Sequence, residues 1–216
     1  MLRPDEVFCC YNSFMAKTIL YIDGENLKNY IKTVLNKANI KEKNLNIENL
    51  DLSLLLENPL KKIKISEKKY YSAKLRFYKN TPKKSKELIH KQRIQKTNLE
   101  RQGINYIIGG NVRPQNITIN GKKKTIFKEK GVDVKIAVDL VTNTCDKIIK
   151  TAILCSSDSD LQPAVKEVVA RGIEVIYLGF EINPNKGLIY TTNRTILIRN
   201  SEVLDAYKES VTRKKK

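Results

Sequence analysis

The sequence predicts an α/β fold with a mainly parallel central sheet and helices on both faces. Three observations carry that prediction. Thr18–Ile22 and Ala152–Cys155 are short, nearly unbroken apolar runs, as expected of strands buried on both faces. Helical patterns follow them, and strand–helix alternation through most of the chain calls for parallel crossovers. Both runs also end abruptly in carboxylates, Asp23 and Asp158, and the carboxyl ends of strands are where open α/β sheets bind ligands.

Taken in order, residues 1–16 match no element and read as an N-terminal extension, with Met15-Ala-Lys a plausible native start. Thr18–Ile22 is the first strand. Asn26–Leu35 carries apolar residues at 27, 30, 31, 34 and 35, which is helical spacing. Residues 36–69 read as an insertion with a helical turn near Leu50–Leu56, ended by Pro59. Tyr70–Tyr78 alternates and reads as a strand, with Ala73, Leu75 and Phe77 on one face. Pro82–Gln102 is a polar, basic helix closed by Gly103, and Ile104–Ile108 a third strand. Asn120-Gly121 between alternating runs marks a hairpin over 116–127. Val132–Thr144 is helical, with Val132, Ile136, Ala137, Leu140 and Val141 inward. Ala152–Cys155 is the fourth strand. A helix over Asp160–Arg171 tolerates Pro163 in its first turn and is capped by Gly172. Ile173–Leu178 is a fifth strand and Ile196–Ile198 a sixth. Ser201 caps a short C-terminal helix before the basic tail Arg213–Lys216. The domain is thus set at 17–200, with 201–216 a C-terminal helix and tail.

A chain of 216 residues with 41% hydrophobic content supports a substantial core. Its net charge of +18 is unusual for a single domain and points to a polyanionic partner, nucleic acid ahead of a membrane surface. A lysine-rich composition inherited from a biased genome is the plainer explanation of the same number. No run approaches the ~18 apolar residues of a membrane-spanning helix, and the N-terminus lacks signal-peptide features. The four cysteines, Cys9, Cys10, Cys145 and Cys155, form no Cys-x-x-Cys pair, and His90 is the sole histidine, which argues against structural zinc or a disulfide framework. Cys145 and Cys155 read as reduced core residues, and the expected compartment is the cytoplasm.

The chemistry lies in the acidic residues. Asp23 and Asp158 follow buried strands, Asp133 opens the helix that feeds the Asp158 strand, and Asp160 stands two residues beyond Asp158. All belong at one sheet edge. Crowded carboxylates repel one another, so such a group calls for a cation, and hard oxygen donors favour Mg²⁺ or Mn²⁺. Such an ion can activate water and neutralise charge on a phosphodiester. Each residue alone has a simpler role: a turn at Asp23-Gly24, a helix cap at Asp158 or Asp160, a dipole partner at Asp133. The coincidence of three such strand and helix ends favours a shared site.

The same residues carry a resemblance. Tyr21-Ile-Asp23-Gly-Glu-Asn26-Leu27, Lys130-Gly-Val-Asp133-Val-Lys-Ile-Ala-Val-Asp139 and Leu154-Cys-Ser-Ser-Asp158-Ser-Asp160-Leu-Gln-Pro163 resemble the three signatures of NYN domains, PIN-like ribonuclease folds that include the LabA group. The likeness runs over about residues 17–180. It implies a Rossmann-like three-layer domain, a divalent-metal site and nucleolytic action on RNA. On that basis Asp23, Asp133, Asp158 and Asp160 take the metal and catalytic positions, and Asn26 steadies the first loop or the substrate. Where the family pattern has glycine before the first Asp of the third motif, this chain has Ser157.

Outside the acidic set, Lys122, Lys123 and Lys124 at the hairpin tip either grip phosphates or form a solvated turn. The lysines of Pro82–Gln102 have the same two readings. Tyr70, Tyr71 and Tyr78 stack on bases or pack. Asp139 lies off the face of Asp133 and suits a basic neighbour better than a metal; Glu25 reaches solvent or a second ion. No P-loop is present. The expected function is a cytoplasmic, divalent-metal-dependent ribonuclease with Mg²⁺ or Mn²⁺ as cofactor. Its expected partner is RNA, single-stranded or structured, and not a membrane; a homodimer stays open. The alternatives are a non-catalytic RNA-binding module on the same fold and a metal-dependent phosphatase for small substrates.

Overall fold

The structure is a computed structural model that describes residues 16–40, 47–119 and 122–213, except for the side chains of 116, 119 and 122–124. Its centre is a seven-stranded sheet in the order β4-β3-β2-β1-β5-β6-β7. The strands are β1 (Lys17–Asp23), β2 (Glu67–Lys74), β3 (Asn105–Ile119), β4 (Lys122–Lys130), β5 (Ile149–Cys155), β6 (Glu174–Phe180) and β7 (Arg194–Ile198). Every neighbouring pair is parallel except β3 and β4. The chain builds outward from β1 through β2 to β3, then crosses back to lay β5 on the other side of β1. That reversal makes the β1/β5 seam the switch point, where α/β folds open a ligand crevice.

Among the described residues seven helices cover the sheet: α1 (Gly24–Lys37), α2 (Leu52–Leu60), α3 (Pro82–Arg101), α4 (Val132–Cys145), α5 (Gln162–Ala170), α6 (Lys186–Thr191) and α7 (Asn200–Arg213). Alternate residues of each strand feed two separate cores. Leu20, Ile22, Ile153 and Leu178 pack against α1, α2, α3 and α7 on one face. Ile19, Tyr21, Leu154 and Tyr177 pack against α4, α5 and α6 on the other. The result is the expected three-layer α/β architecture. Leu20, Tyr21, Ile153 and Leu154 have no exposed surface, so β1 and β5 are buried on both faces as their apolar runs require.

Several elements differ from the sequence reading. The strand expected at Tyr70–Tyr78 begins earlier, at Glu67, and stops at Lys74; Phe77 is half exposed, so its alternation with Ala73 and Leu75 was misleading. Its register follows β1, which pairs Ile19 with Glu67. The third strand and the first arm of the hairpin are one continuous strand, β3, of 15 residues. The ladder pairs Ile119 with Lys122; the Asn-Gly pair between them, where the sequence predicts the turn, lies outside the described residues. Pro59 sits inside the last turn of α2 instead of ending it earlier. A 3-10 turn at Ser159–Leu161 precedes α5, so that helix starts at Gln162 and not Asp160. Helix α6 was not foreseen. Helix α7 has 14 residues and buries Val203, Ala206 and Tyr207 in the first core. Cys145 is exposed at the end of α4, not a core residue, whereas Cys155 is buried; Cys9 and Cys10 lie outside the described residues.

Candidate active site

The first acidic residue is placed by strand register. β1 and β5 pair Ile22 with Cys155, which sets Asp23 beside Ser156. Asp23 is 7% exposed. One carboxylate oxygen accepts the Asn26 amide at 3.1 Å and so caps α1; the other accepts the Ser156 hydroxyl at 3.1 Å. Ser156 in turn accepts the Asp158 amide at 3.2 Å. Asn26 accepts the Ser157 amide on its side-chain oxygen at 3.0 Å, tying the loop after β1 to the loop after β5. Asn26 therefore positions the two acidic loops. Asn185 adds a third tie, donating to the Ser157 carbonyl at 2.8 Å.

Ser157, the departure from the glycine pattern, is not at positive φ. Its hydroxyl meets the Tyr177 hydroxyl at 2.6 Å. A side chain is thus accommodated there without backbone strain, and it gains a partner that glycine would lack.

Asp133 lies in the first turn of α4, whose N-cap Gly131 has φ 87°. That left-handed residue turns the chain sharply from β4 into α4, a conformation glycine adopts without steric cost. Asp23, Asp133 and Asp158 then line one cavity of about 460 Å³ together with Glu25, Asn26 and Glu129. Asp160 does not line it. Its side chain is exposed, and its amide donates to Asp158 at 3.0 Å, so within this structure it orients Asp158 through the backbone. Among the described residues no three His, Cys, Asp or Glu side chains converge closely enough to grip a metal ion directly.

The electrostatics mark the cavity as short of positive charge. Burial raises the Asp23 pKa, opposed by the Asn26 amide and Ser156 and reinforced by Asp158 and Glu25. Burial also pushes Glu129 up to about 7, with Lys28 opposing and Glu25 and Asp23 adding to the rise. Glu25 resists its own burial because Lys28, at 2.9 Å, and Lys32 hold its pKa down. Lys28 keeps its charge despite burial, aided by Tyr70, Glu25 and Glu129.

Glu129 and Lys28 escaped the sequence reading. Glu129 lies in a run of alternating lysines on β4, and Lys28 on a helix of ordinary amphipathic pattern. Only the pairing of Val112 with Glu129 in the ribbon turns that side chain toward the acids. The other candidates resolve as packing. Tyr70 and Tyr71 are fully buried, and the Tyr78 hydroxyl donates to the Val112 carbonyl. Asp139 accepts from Tyr71 at 2.9 Å and from Lys135 at 2.6 Å, the basic neighbour its helical position suggested. The side chains of Lys122, Lys123 and Lys124 lie outside the described residues; their backbone forms the start of β4.

Carboxylates gathered at the switch point of a three-layer parallel sheet are the arrangement of nuclease-like α/β domains. The family model described as "NYN domain" matches residues 17–199, and the chain belongs to that family of nuclease-like domains. No curated protein matches it. Among solved structures the chain is similar to a protein of unknown function from Vibrio parahaemolyticus, at 17% identity and a TM-score of 0.45, covering 85% of this chain and 93% of that one. Among the described residues no helix is long and apolar enough to cross a membrane.

Proposed function

We propose that the protein is a divalent-metal-dependent nuclease that hydrolyses phosphodiester bonds of RNA, with Mg²⁺ or Mn²⁺ as its cofactor. The observation that carries this reading is the cavity where Asp23, Asp133 and Asp158, from three separate elements, meet Glu25 and Glu129. The donor set fits such an ion in kind, being hard oxygen without thiolate or imidazole. It also fits in charge, since Asp23 and Glu129 are raised first by burial and then by neighbouring carboxylates, and a cation offsets both. Since no three of these groups among the described residues converge closely enough to grip it directly, the ion would be held in part through its own waters.

Asp23, Asp133 and Asp158 would hold the ion, with Glu25 and Glu129 as further acceptors for its waters. When bound, it would supply Lewis acidity to the phosphate and lower the pKa of water. The chain's own residues do the rest. Ser156, Asn26 and the Asp160 amide fix the carboxylates before substrate arrives, which avoids reorganisation during reaction. Glu129, pushed up to about 7, is suited to take and return a proton near neutral pH. The +18 charge draws the polyanion toward an otherwise acidic cavity.

The test is purified protein with labelled single-stranded RNA, in Mn²⁺ and in chelator, beside Asp158→Asn. Cleavage in Mn²⁺ that vanishes in chelator and in the variant is the expected result. The alternative, an RNA-binding module on the same fold, draws on the absence of a tight carboxylate trio among the described residues. It predicts salt-sensitive RNA retention with no cleavage in any divalent ion.

A further inference from the structure

The acidic cavity does not stand alone. A larger space of about 710 Å³ adjoins it, and Glu25 and Glu129 line both. Its walls come from α1, from α3 and from the β3–β4 ribbon, and the catalytic reading leaves it unused. Its volume lies within the range of true ligand sites, roughly 300–1,000 Å³.

The lining has two chemistries. Lys28, Lys32, Lys84, Lys91 and Lys128 are its cations, five lysines against three glutamates. Leu75, Leu88, Val112 and Phe127 supply apolar surface. Phe127 is half buried, and the Tyr78 ring braces it at 6.0 Å between centroids. Gln92 is fixed below: its amide nitrogen donates to the Ala73 carbonyl at 2.7 Å and to Tyr106 at 3.1 Å, and its oxygen accepts the Leu75 amide at 3.3 Å. With those bonds made, the glutamine serves as part of a rigid floor.

Lysines around an apolar, aromatic floor complement an unpaired nucleotide, whose phosphates face outward and whose base seeks a stacking surface. A duplex offers only phosphate and sugar, because its bases are paired and stacked. We propose that this groove is the subsite that selects single-stranded RNA, seating an unpaired nucleotide beside the scissile phosphate with its base on Phe127 and Leu88 and its phosphates on Lys32 and Lys128. The proposal rests on the nuclease reading for the position of the scissile phosphate. The lysines of α3, which the sequence left between a wet face and a phosphate grip, thereby divide: Lys84 and Lys91 face the groove, while Lys83, Lys86 and Arg93 do not line it.

Binding measured in chelator separates the subsite from catalysis. Fluorescence anisotropy is read with a labelled, unstructured oligouridylate and with a blunt RNA duplex of equal length. The expected result for the wild type is a preference for the single strand of about tenfold or more, the scale of one stacked base. Phe127→Leu keeps an apolar side chain against Tyr78 but removes the stacking face, so it should fold normally and lose most of that preference without changing duplex affinity. Lys32→Ala with Lys128→Ala should weaken single-strand binding and lower its salt slope by about 1.4, from roughly 0.7 per phosphate contact. A wild type that binds both forms equally, or variants that bind the single strand as the wild type does, would overturn the proposal. If no RNA is cut in Mn²⁺ yet the preference exists and the variants abolish it, the subsite stands and the nuclease reading falls. If duplex and single strand are cut equally well, the nuclease reading stands and the subsite falls.

Discussion

Ser156 carries more of the site than its size suggests. Its hydroxyl donates a hydrogen bond to Asp23 and accepts one from the Asp158 amide, so one oxygen joins the acids that follow two strands. Ser156→Ala leaves a buried carboxylate oxygen and an amide without that partner, a cost of about 1–3 kcal/mol. Urea melts should show that loss, and nuclease activity should fall further than stability alone predicts; unchanged activity would remove Ser156 from the positioning role. Glu129 gives a pH signature. Its carboxyl has a normal value of 4.5 when unfolded and about 7 when folded, so the folded state holds the extra proton between them. The contribution is therefore full below about 4.5 and is lost as pH rises through about 7. Glu129→Gln should gain stability relative to the wild type on going from about pH 5 to about pH 8, and an equal difference at both values would contradict the assignment. Mn²⁺ should raise the melting temperature of the wild type and do so less for Asp158→Asn, since a ligand bound only by the folded state stabilises it.

At the scale of elements, the seam between the β3–β4 ribbon and α4 decides where Asp133 sits. β3 shifts register against β2 between Ser72 and Ala73, and Gly110 lies at that irregularity. A Cβ on Gly110 would collide with the Lys130 carbonyl oxygen and crowd the Val132 amide. Gly110→Ala must push the end of β4 and the start of α4 away, and both atoms are backbone with little room to yield. We expect a loss of about 1–3 kcal/mol from this overpacking and a weaker response to Mn²⁺, because Asp133 moves with its helix. Thermal melts with and without the ion check both. A variant as stable and as metal-responsive as the wild type would mean that the ribbon shifts freely there.

For the whole molecule, net charge and topology act together. The switch point concentrates carboxylates in one cavity, while the chain as a whole carries a net charge of +18. RNA affinity should therefore fall steeply with salt through counterion release. Replacing Lys122, Lys123 and Lys124 with Ala should lower the slope of log K against log salt by about 2, at roughly 0.7 per contact, if the ribbon tip flanks the bound strand. An unchanged slope would assign the long-range attraction to α3 and the basic tail Arg213–Lys216 instead. The C-terminal helix belongs to this level too. Asp51, at the start of α2, takes an ion pair from Arg213 at 3.3 Å, and its amide donates to Ser210 at 3.0 Å, so α7 closes the face that α1 and α2 begin.

The sequence by itself determined the fold class and the acidic edge. Short apolar runs alternating with helical patterns point to strands buried on both faces, and parallel strands present their carboxyl ends to the same side; Asp23 and Asp158 were legible because they follow such strands, and Asp133 because it opens the helix that leads into one. What the tertiary structure decided was everything set by pairing across the chain. The 15 residues of β3 run through Gly109-Gly110, which reads as a break until the ribbon supplies partners on both sides. Asp160 belongs to the third motif, yet the 3-10 turn leaves its side chain exposed and out of the cavity lining. Glu129 has no local signature, because the burial that shifts it comes from elements distant in sequence; Lys28 has a local partner in Glu25, but Tyr70 and Glu129, which also hold its charge, reach it only through the fold. Local pattern sets which face a side chain takes on its own element; which charges then share a cavity depends on the packing of all the elements together.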